Sequence, residues 1–103
     1  VYNDLKIAQV YNYPNPFTET TNFTFKLTQV PDEVVIKVYT IAGRLIREIK
    51  KNSSELNADF NFIQWDGRDQ DGDKIANGVY LYKVIARLGD KTEHITEKLA
   101  KIR

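Results

Sequence analysis

Cysteine and methionine are both missing from this chain of 103 residues. Without cysteine there is no disulfide, no thiol nucleophile and no zinc site of the usual Cys/His type. Histidine occurs once, at His94, and the only serines are Ser53 and Ser54. A Ser-His-acid triad would need those serines beside His94 and an oxyanion hole, yet no nucleophile-elbow motif is present. No apolar run approaches the roughly 18 residues of a membrane span, and no signal peptide is recognisable. With 15 basic and 14 acidic residues the net charge is +1, which argues against a dedicated nucleic-acid binder. Nowhere does a window hold a convincing helical stripe.

What is present reads as one globular domain. The length suffices for a single modest core, and hydrophobic residues at 42% with charged residues at 28% are ordinary for such a domain. The chain starts mid-pattern and without Met, which predicts an excised piece of a longer protein. Residues 1–10 read as a linker remnant and the lead-in to the first strand, and residues 11–103 as the domain proper.

A period of two dominates. Phe23, Phe25 and Leu27 alternate with Asn22, Thr24 and Lys26, and Val34, Ile36 and Val38 with Val35, Lys37 and Tyr39. Ala42-Gly43 turns the chain into residues 45–49, so residues 34–49 form a β-hairpin. Residues 60–65 carry β-type side chains on both faces. Residues 79–88 place Tyr80, Tyr82, Val84 and Ala86 on one side, and after Gly89-Asp90 the chain returns through residues 92–102. An entering segment at 7–13 brings the count to about seven strands, a sandwich of two antiparallel sheets. Residues 54–57, where a helical turn would fit, read as a loop. Phe60 and Phe62 are expected in the core with Phe23, Phe25, Tyr80 and Tyr82, and Trp65 as the central buried ring. Tyr2, Tyr11 and Tyr13 are left for surface contact, and a carbohydrate-binding role would rest on them.

Two segments break the alternation. Pro14-Asn15-Pro16-Phe17 removes two backbone donors and predicts a sharp corner that lets the first strand cross between sheets and drops Phe17 towards the core. Trp65-Asp66-Gly67-Arg68-Asp69 opens a polar loop that closes at Asn77-Gly78 before the Tyr80 strand. Asp69, Asp71 and Asp73 have the first spacings of a calcium loop, but Lys74 replaces the sharp-turn Gly and Tyr80 the closing Glu. These Asp residues are therefore weak metal candidates for Ca²⁺ only, and a solvated turn is the reading preferred. Arg68, between Asp66 and Asp69, offers an internal ion pair instead. No cofactor is expected, and paired carboxylates lack any cleft for glycoside hydrolysis. The chain reads as non-catalytic.

Tyr13-Pro14-Asn15-Pro16-Phe17, the run of residues 21–27 and Val38-Tyr39-Thr40-Ile41-Ala42-Gly43-Arg44-Leu45-Ile46-Arg47 resemble the C-terminal sorting domains of the Bacteroidota type IX secretion system. Trp65-Asp66-Gly67-Arg68-Asp69 and Gly78-Val79-Tyr80-Leu81-Tyr82-Lys83-Val84 are similar to the immunoglobulin-like domain of the flagellar hook-capping protein. The resemblance covers residues 11–103 and implies an all-β, immunoglobulin-like antiparallel β-sandwich. Typical cleaved sorting domains are shorter before the Gly-x-Tyr strand and lack the full Trp-Asp-Gly-Arg-Asp element. This variant resembles the terminal domain of the type IX signal peptidase and related surface proteins, so the resemblance implies either fate, cleavage or retention.

The resemblance further implies a sorting or anchoring module fused to an upstream cargo domain. Its partner would be the type IX machinery or signal peptidase, and its location the outer-membrane surface or the extracellular space. A folded signal is read through strand edges and loops. Lys98, Leu99, Lys101, Ile102 and Arg103 are the expected recognition surface. Pro14, Asn15, Pro16, Phe17, Gly43, Trp65, Asp66, Gly67, Gly78 and Tyr80 are the expected structural motif. A structural spacer or protein-interaction domain, and a carbohydrate-binding accessory module of a secreted hydrolase, are the alternatives.

Overall fold

Alternating apolar residues with short polar turns leave each strand one face to bury, and two sheets stacked face to face satisfy all of them at once. The computed structural model describes residues 4–103. β1 (Ile7–Tyr13), β2 (Thr21–Leu27) and β5 (Asp59–Trp65) form a three-stranded sheet in the order β1-β2-β5. β3 (Glu33–Thr40), β4 (Leu45–Asn52), β6 (Gly78–Leu88) and β7 (Lys91–Lys101) form the other, in the order β4-β3-β6-β7. Every pairing is antiparallel. The fold is an all-β sandwich of seven strands in two antiparallel sheets, as the pattern implies, and it agrees with the immunoglobulin-like sandwich that the resemblance implies.

The core is built from the expected inward rows. Phe23, Phe25 and Leu27 of β2 face Val34, Ile36 and Val38 of β3 and Tyr82, Val84 and Ala86 of β6, all buried. Trp65 is the central ring, with Phe23 stacked at 5.8 Å and Phe17 tilted at 5.7 Å between centroids. Phe23 also meets Tyr82 at 4.8 Å. Each such pair contributes about 0.5–1.5 kcal/mol beyond area burial. Of the segment read as a linker remnant, residues 1–3 (Tyr2 among them) lie outside the described residues. Leu5 and Ile7 are buried in the core ahead of and within β1.

Two expectations are corrected. Phe60 and Phe62 are not core residues: they are 38% and 70% exposed. Trp65 faces inward, so the period of two carries Ile63 and Asn61 inward and turns Phe60 and Phe62 to the outer face. Burying Asn61 is tolerable because its side chain accepts from the Asn57 amide and donates to the Asn57 carbonyl, both at 2.8 Å. The segment expected as a loop also contains a single 3₁₀ turn, Ser53–Glu55. Asn52 caps it through the Ser54 amide at 3.1 Å, and the Glu55 carboxylate accepts from the Asn52 amide at 3.1 Å.

Candidate recognition surface

The polar loop after Trp65 is held by bonds between its side chains and its own backbone and by contacts with β4. The Trp65 indole N–H donates to the Arg68 carbonyl at 3.0 Å, and Asp66 Oδ1 accepts from the Arg68 amide at 3.1 Å. Asp69 Oδ1 accepts from the amides of Asp71 and Asp73, each at 3.0 Å, as an Asx turn does. Gly67 adopts φ +71°, and a Cβ there would lie 3.0 Å from the Glu19 carbonyl oxygen and 3.1 Å from Phe17 Cε2. Only glycine combines that φ with so close a neighbour. Arg68 does not form the expected internal ion pair: it donates to the Gly72 carbonyl at 2.8 Å. Arg47 of β4 instead approaches Asp66 at 3.6 Å and donates to the Arg68 carbonyl at 2.9 Å. Among the described residues no three His, Cys, Asp or Glu side chains converge as metal ligands.

The loop also docks on a strand edge. The Gln70 amide donates to the Ile46 carbonyl, and Gln70 Oε1 accepts from the Glu48 amide, both at 2.9 Å. Edge groups of β4 that would otherwise face solvent are thus satisfied.

The proline corner does the same for β7. Both X–Pro bonds, Tyr13–Pro14 and Asn15–Pro16, are cis. The chain leaves the three-stranded sheet at Tyr13, and Phe17 bridges Lys101 of the four-stranded sheet. The Phe17 amide donates to the Ala100 carbonyl at 3.0 Å, and the Ile102 amide to the Phe17 carbonyl at 2.9 Å. Asn15 accepts from the Ala100 amide at 3.0 Å and donates to the Lys98 carbonyl at 3.4 Å. The buried Phe17 ring then meets Trp65 and Gly67. The two motifs, 50 residues apart in sequence, form one structural unit.

Between them, residues 18–20, residues 66–68, Lys74 and Lys101 line a polar cavity of about 170 Å³. The residues expected as a recognition surface divide here. Lys98, Ile102 and Arg103 are exposed. Leu99 is a core residue at 1% exposure, and Lys101 is buried with its ammonium donating to the Ile102 carbonyl at 3.1 Å. Both lie on the inward row of β7, Leu99 within the core and Lys101 at the wall of the cavity. Gly43 and Gly78 occupy turn and strand-start positions with φ +96° and +148°. Tyr80 is buried, its hydroxyl donating to the Ala76 carbonyl at 2.6 Å. His94 is exposed on β7, and the Ser54 hydroxyl donates to the Asn52 side chain at 2.6 Å.

A second surface was only half anticipated. Tyr11, Thr24 and Phe62 stand side by side across β1, β2 and β5, and Tyr13 and Asn22 form the next row. Tyr13 is 71% and Tyr11 49% exposed, and with Asn22, Thr24 and Phe62 they line a groove of about 350 Å³. Phe62 is the residue missed. The signal was available: once Trp65 is placed inward, residue 62 must point out.

The family model of the FlgD Ig-like domain matches residues 12–90, most of the described strands. The chain belongs to that family. Within it, this FlgD-type Ig-like domain is 33% identical over 72 residues to the basal-body rod modification protein FlgD of Salmonella typhimurium. The match takes in 70% of the chain and 30% of that relative, so the domain spans less than a third of it. The domain is also similar to part of dimeric latent PorU from Porphyromonas gingivalis, with a TM-score of 0.74 and 28% identity. That alignment covers 90% of the chain and 9% of PorU. PorZ of the same organism, described as an essential bacterial surface component of the type IX secretion system, aligns at TM-score 0.56 and 26% identity. It covers 91% of the chain and 11% of PorZ. Chitinase ChiW from Paenibacillus, at TM-score 0.69 and 17% identity over 9% of its length, shares the fold.

Proposed function

We propose that this domain is a non-catalytic sorting and anchoring module, fused to a larger exported protein that it directs through the type IX secretion system to the cell surface. The observation that carries this reading is the likeness to PorU over 90% of the chain at 28% identity, supported by PorZ at 26%. The lack of a recognisable triad, with His94 exposed and the serines near a 3₁₀ turn, favours a binding role over chemistry.

The contact surface is the end of the sandwich where the proline corner meets β7. Lys98, Ile102 and Arg103 are displayed there on backbone held by Asn15 and Phe17. Two cations beside an exposed aliphatic suit an acidic, partly apolar partner surface. The test is a passive reporter carrying an export signal and residues 1–103, expressed in a type IX-competent host. The reporter is expected at the cell surface. Lys98→Glu with Arg103→Glu should hold most of it in the periplasm while the melting temperature is unchanged.

Full export of that pair would move the contact elsewhere on the domain. A folded, unmodified domain that exports nothing would sink sorting in favour of the second reading, a structural spacer or protein-interaction domain. The 33% identity to Salmonella FlgD over 72 residues favours that alternative.

A further inference from the structure

The groove on the outer face of the three-stranded sheet lies apart from the cavity between the two motifs and takes no part in the core. We propose that it is a binding site for a neutral oligosaccharide, with one sugar ring held between Tyr11 and Phe62. The two residues flank Thr24 in a single cross-strand row. Two strand spacings set their backbones about 10 Å apart, and a ring sandwiched between two aromatic planes needs about 7–8 Å. Tyr13, 71% exposed in the next row, offers a further ring for a second sugar unit.

The floor supplies what apolar rings cannot. Thr24 is 2% exposed, yet it lines the groove and sets a hydroxyl-bearing side chain between the two rings. A threonine hydroxyl can both donate a hydrogen bond to a sugar hydroxyl and accept one from it. Asn22 beside it carries both a donor and an acceptor, its amide reaching the Tyr13 carbonyl only at 3.5 Å. None of the five lining residues is charged, so the groove suits an uncharged ligand. Apolar ring faces with hydroxyls around the rim are what a pyranose presents. A few polar groups fixing orientation between aromatic walls is the usual form of a small-molecule site. The inference stands independently of the sorting reading, because binding is measured on the isolated chain without any secretion.

The experiment titrates the isotope-labelled chain with cellohexaose, chitohexaose and maltohexaose, and separately with decaproline, following amide shifts by NMR. At least one sugar should give saturable shifts confined to residues 11–13, 22–24 and 61–63. Phe62→Ala and Tyr13→Ala, both at exposed positions, should each weaken binding about tenfold, as expected for loss of one stacking ring. Thr24→Val should weaken it by a smaller factor with the melting temperature preserved. Absence of saturable shifts with all three sugars overturns the proposal. So do shifts mapping elsewhere, affinity unchanged in all three variants, or binding of decaproline alone, which would make the groove a polyproline site.

Discussion

The two sheets share one core but turn very different faces outward. On the four-stranded sheet the outer rows mix charged residues with aliphatic ones such as Val35, Val79 and Leu81. Lys37 of β3 faces Glu48 of β4 at 3.9 Å and Lys83 of β6 in register, and Leu81 pairs with Lys98 of β7. Arg87 nearby approaches Asp32 at 3.5 Å and Glu33 at 3.9 Å. On the three-stranded sheet the outer rows are aromatic, and charge enters only at one end, where Lys26 lies 5.8 Å over Phe60 and 3.7 Å from Asp59. Exposed ion pairs of the first kind contribute about 0–1 kcal/mol and keep a sheet face soluble. Exposed rings contribute little to folding and carry an aggregation risk. Folding stability gives the ion pairs a role but gives the exposed rings none, and those rings form the groove of the proposed sugar site.

The largest effects should come from the shared core, and they separate it from the aromatic face. Trp65→Ala should cost about 3–5 kcal/mol, the range for truncating a buried large aromatic. A small domain has only about 5–15 kcal/mol in all, so this variant will be close to unfolding. Phe62→Ala, three residues away on the same strand, should change stability by no more than about 0.5 kcal/mol. Urea denaturation of both decides the matter. A Phe62 variant as damaged as the Trp65 variant would mean that β5 faces the other way and that the groove does not exist.

A smaller effect tests the joint between the two motif loops. Gly67 and Gly72 both have positive φ, +71° and +88°, but only at Gly67 would a Cβ meet atoms within 4 Å. Gly67→Ala should thus cost about 1–3 kcal/mol, and Gly72→Ala about 1 kcal/mol from backbone strain alone. Equal costs in chemical denaturation would show that Phe17 and Glu19 yield freely and that the corner and the loop are not one rigid unit.

Legibility in the sequence follows the same division. The inward rows of β2, β3 and β6 could be read because polar residues alternate with apolar ones. β5 shows no such alternation, since Phe60 and Phe62 are as apolar as Ile63 and Trp65, and its parity could be read only by counting back from an inward Trp65. That count puts a polar Asn61 inward, and the bonds to Asn57 that make its burial tolerable lie outside any strand pattern. The proline corner and the Asp turn were legible as turns, because Pro and Asp act through their own backbone. That the corner would cover the edge of β7 and bury Lys101 was not legible, since the bridge from Phe17 to Lys101 joins residues 84 positions apart. Arg47 as the partner of Asp66 was hidden for the same reason. The fold was therefore readable from local periodicity. Which of the five expected recognition residues are exposed and which are buried needed the long-range pairing.

The smallest effect concerns the floor of the core itself. Tyr82 is fully buried beneath the four-stranded sheet, and its hydroxyl has no hydrogen-bond partner among the described residues. Burial, with the Glu97 carboxylate adding to it, pushes the phenol well above its ordinary value of 10.0. The folded protein then keeps this proton where the unfolded chain releases it. Stability is complete below pH 10.0 and is lost as the pH rises beyond it towards the folded value. Tyr82→Phe removes an unsatisfied group while keeping the ring against Phe23, so at pH 7 it should be neutral or stabilising by up to about 1 kcal/mol. Above pH 10 its advantage over the wild type should widen. Some alkaline loss will persist through Tyr80, whose phenol is also raised by burial and partly held back by Arg44. Thermal denaturation from pH 7 to pH 11 reads both effects. A Tyr82→Phe variant that is clearly destabilised at pH 7 would show that the hydroxyl is bonded in solution, and a parallel alkaline decline in both proteins would show that Tyr82 is not what titrates.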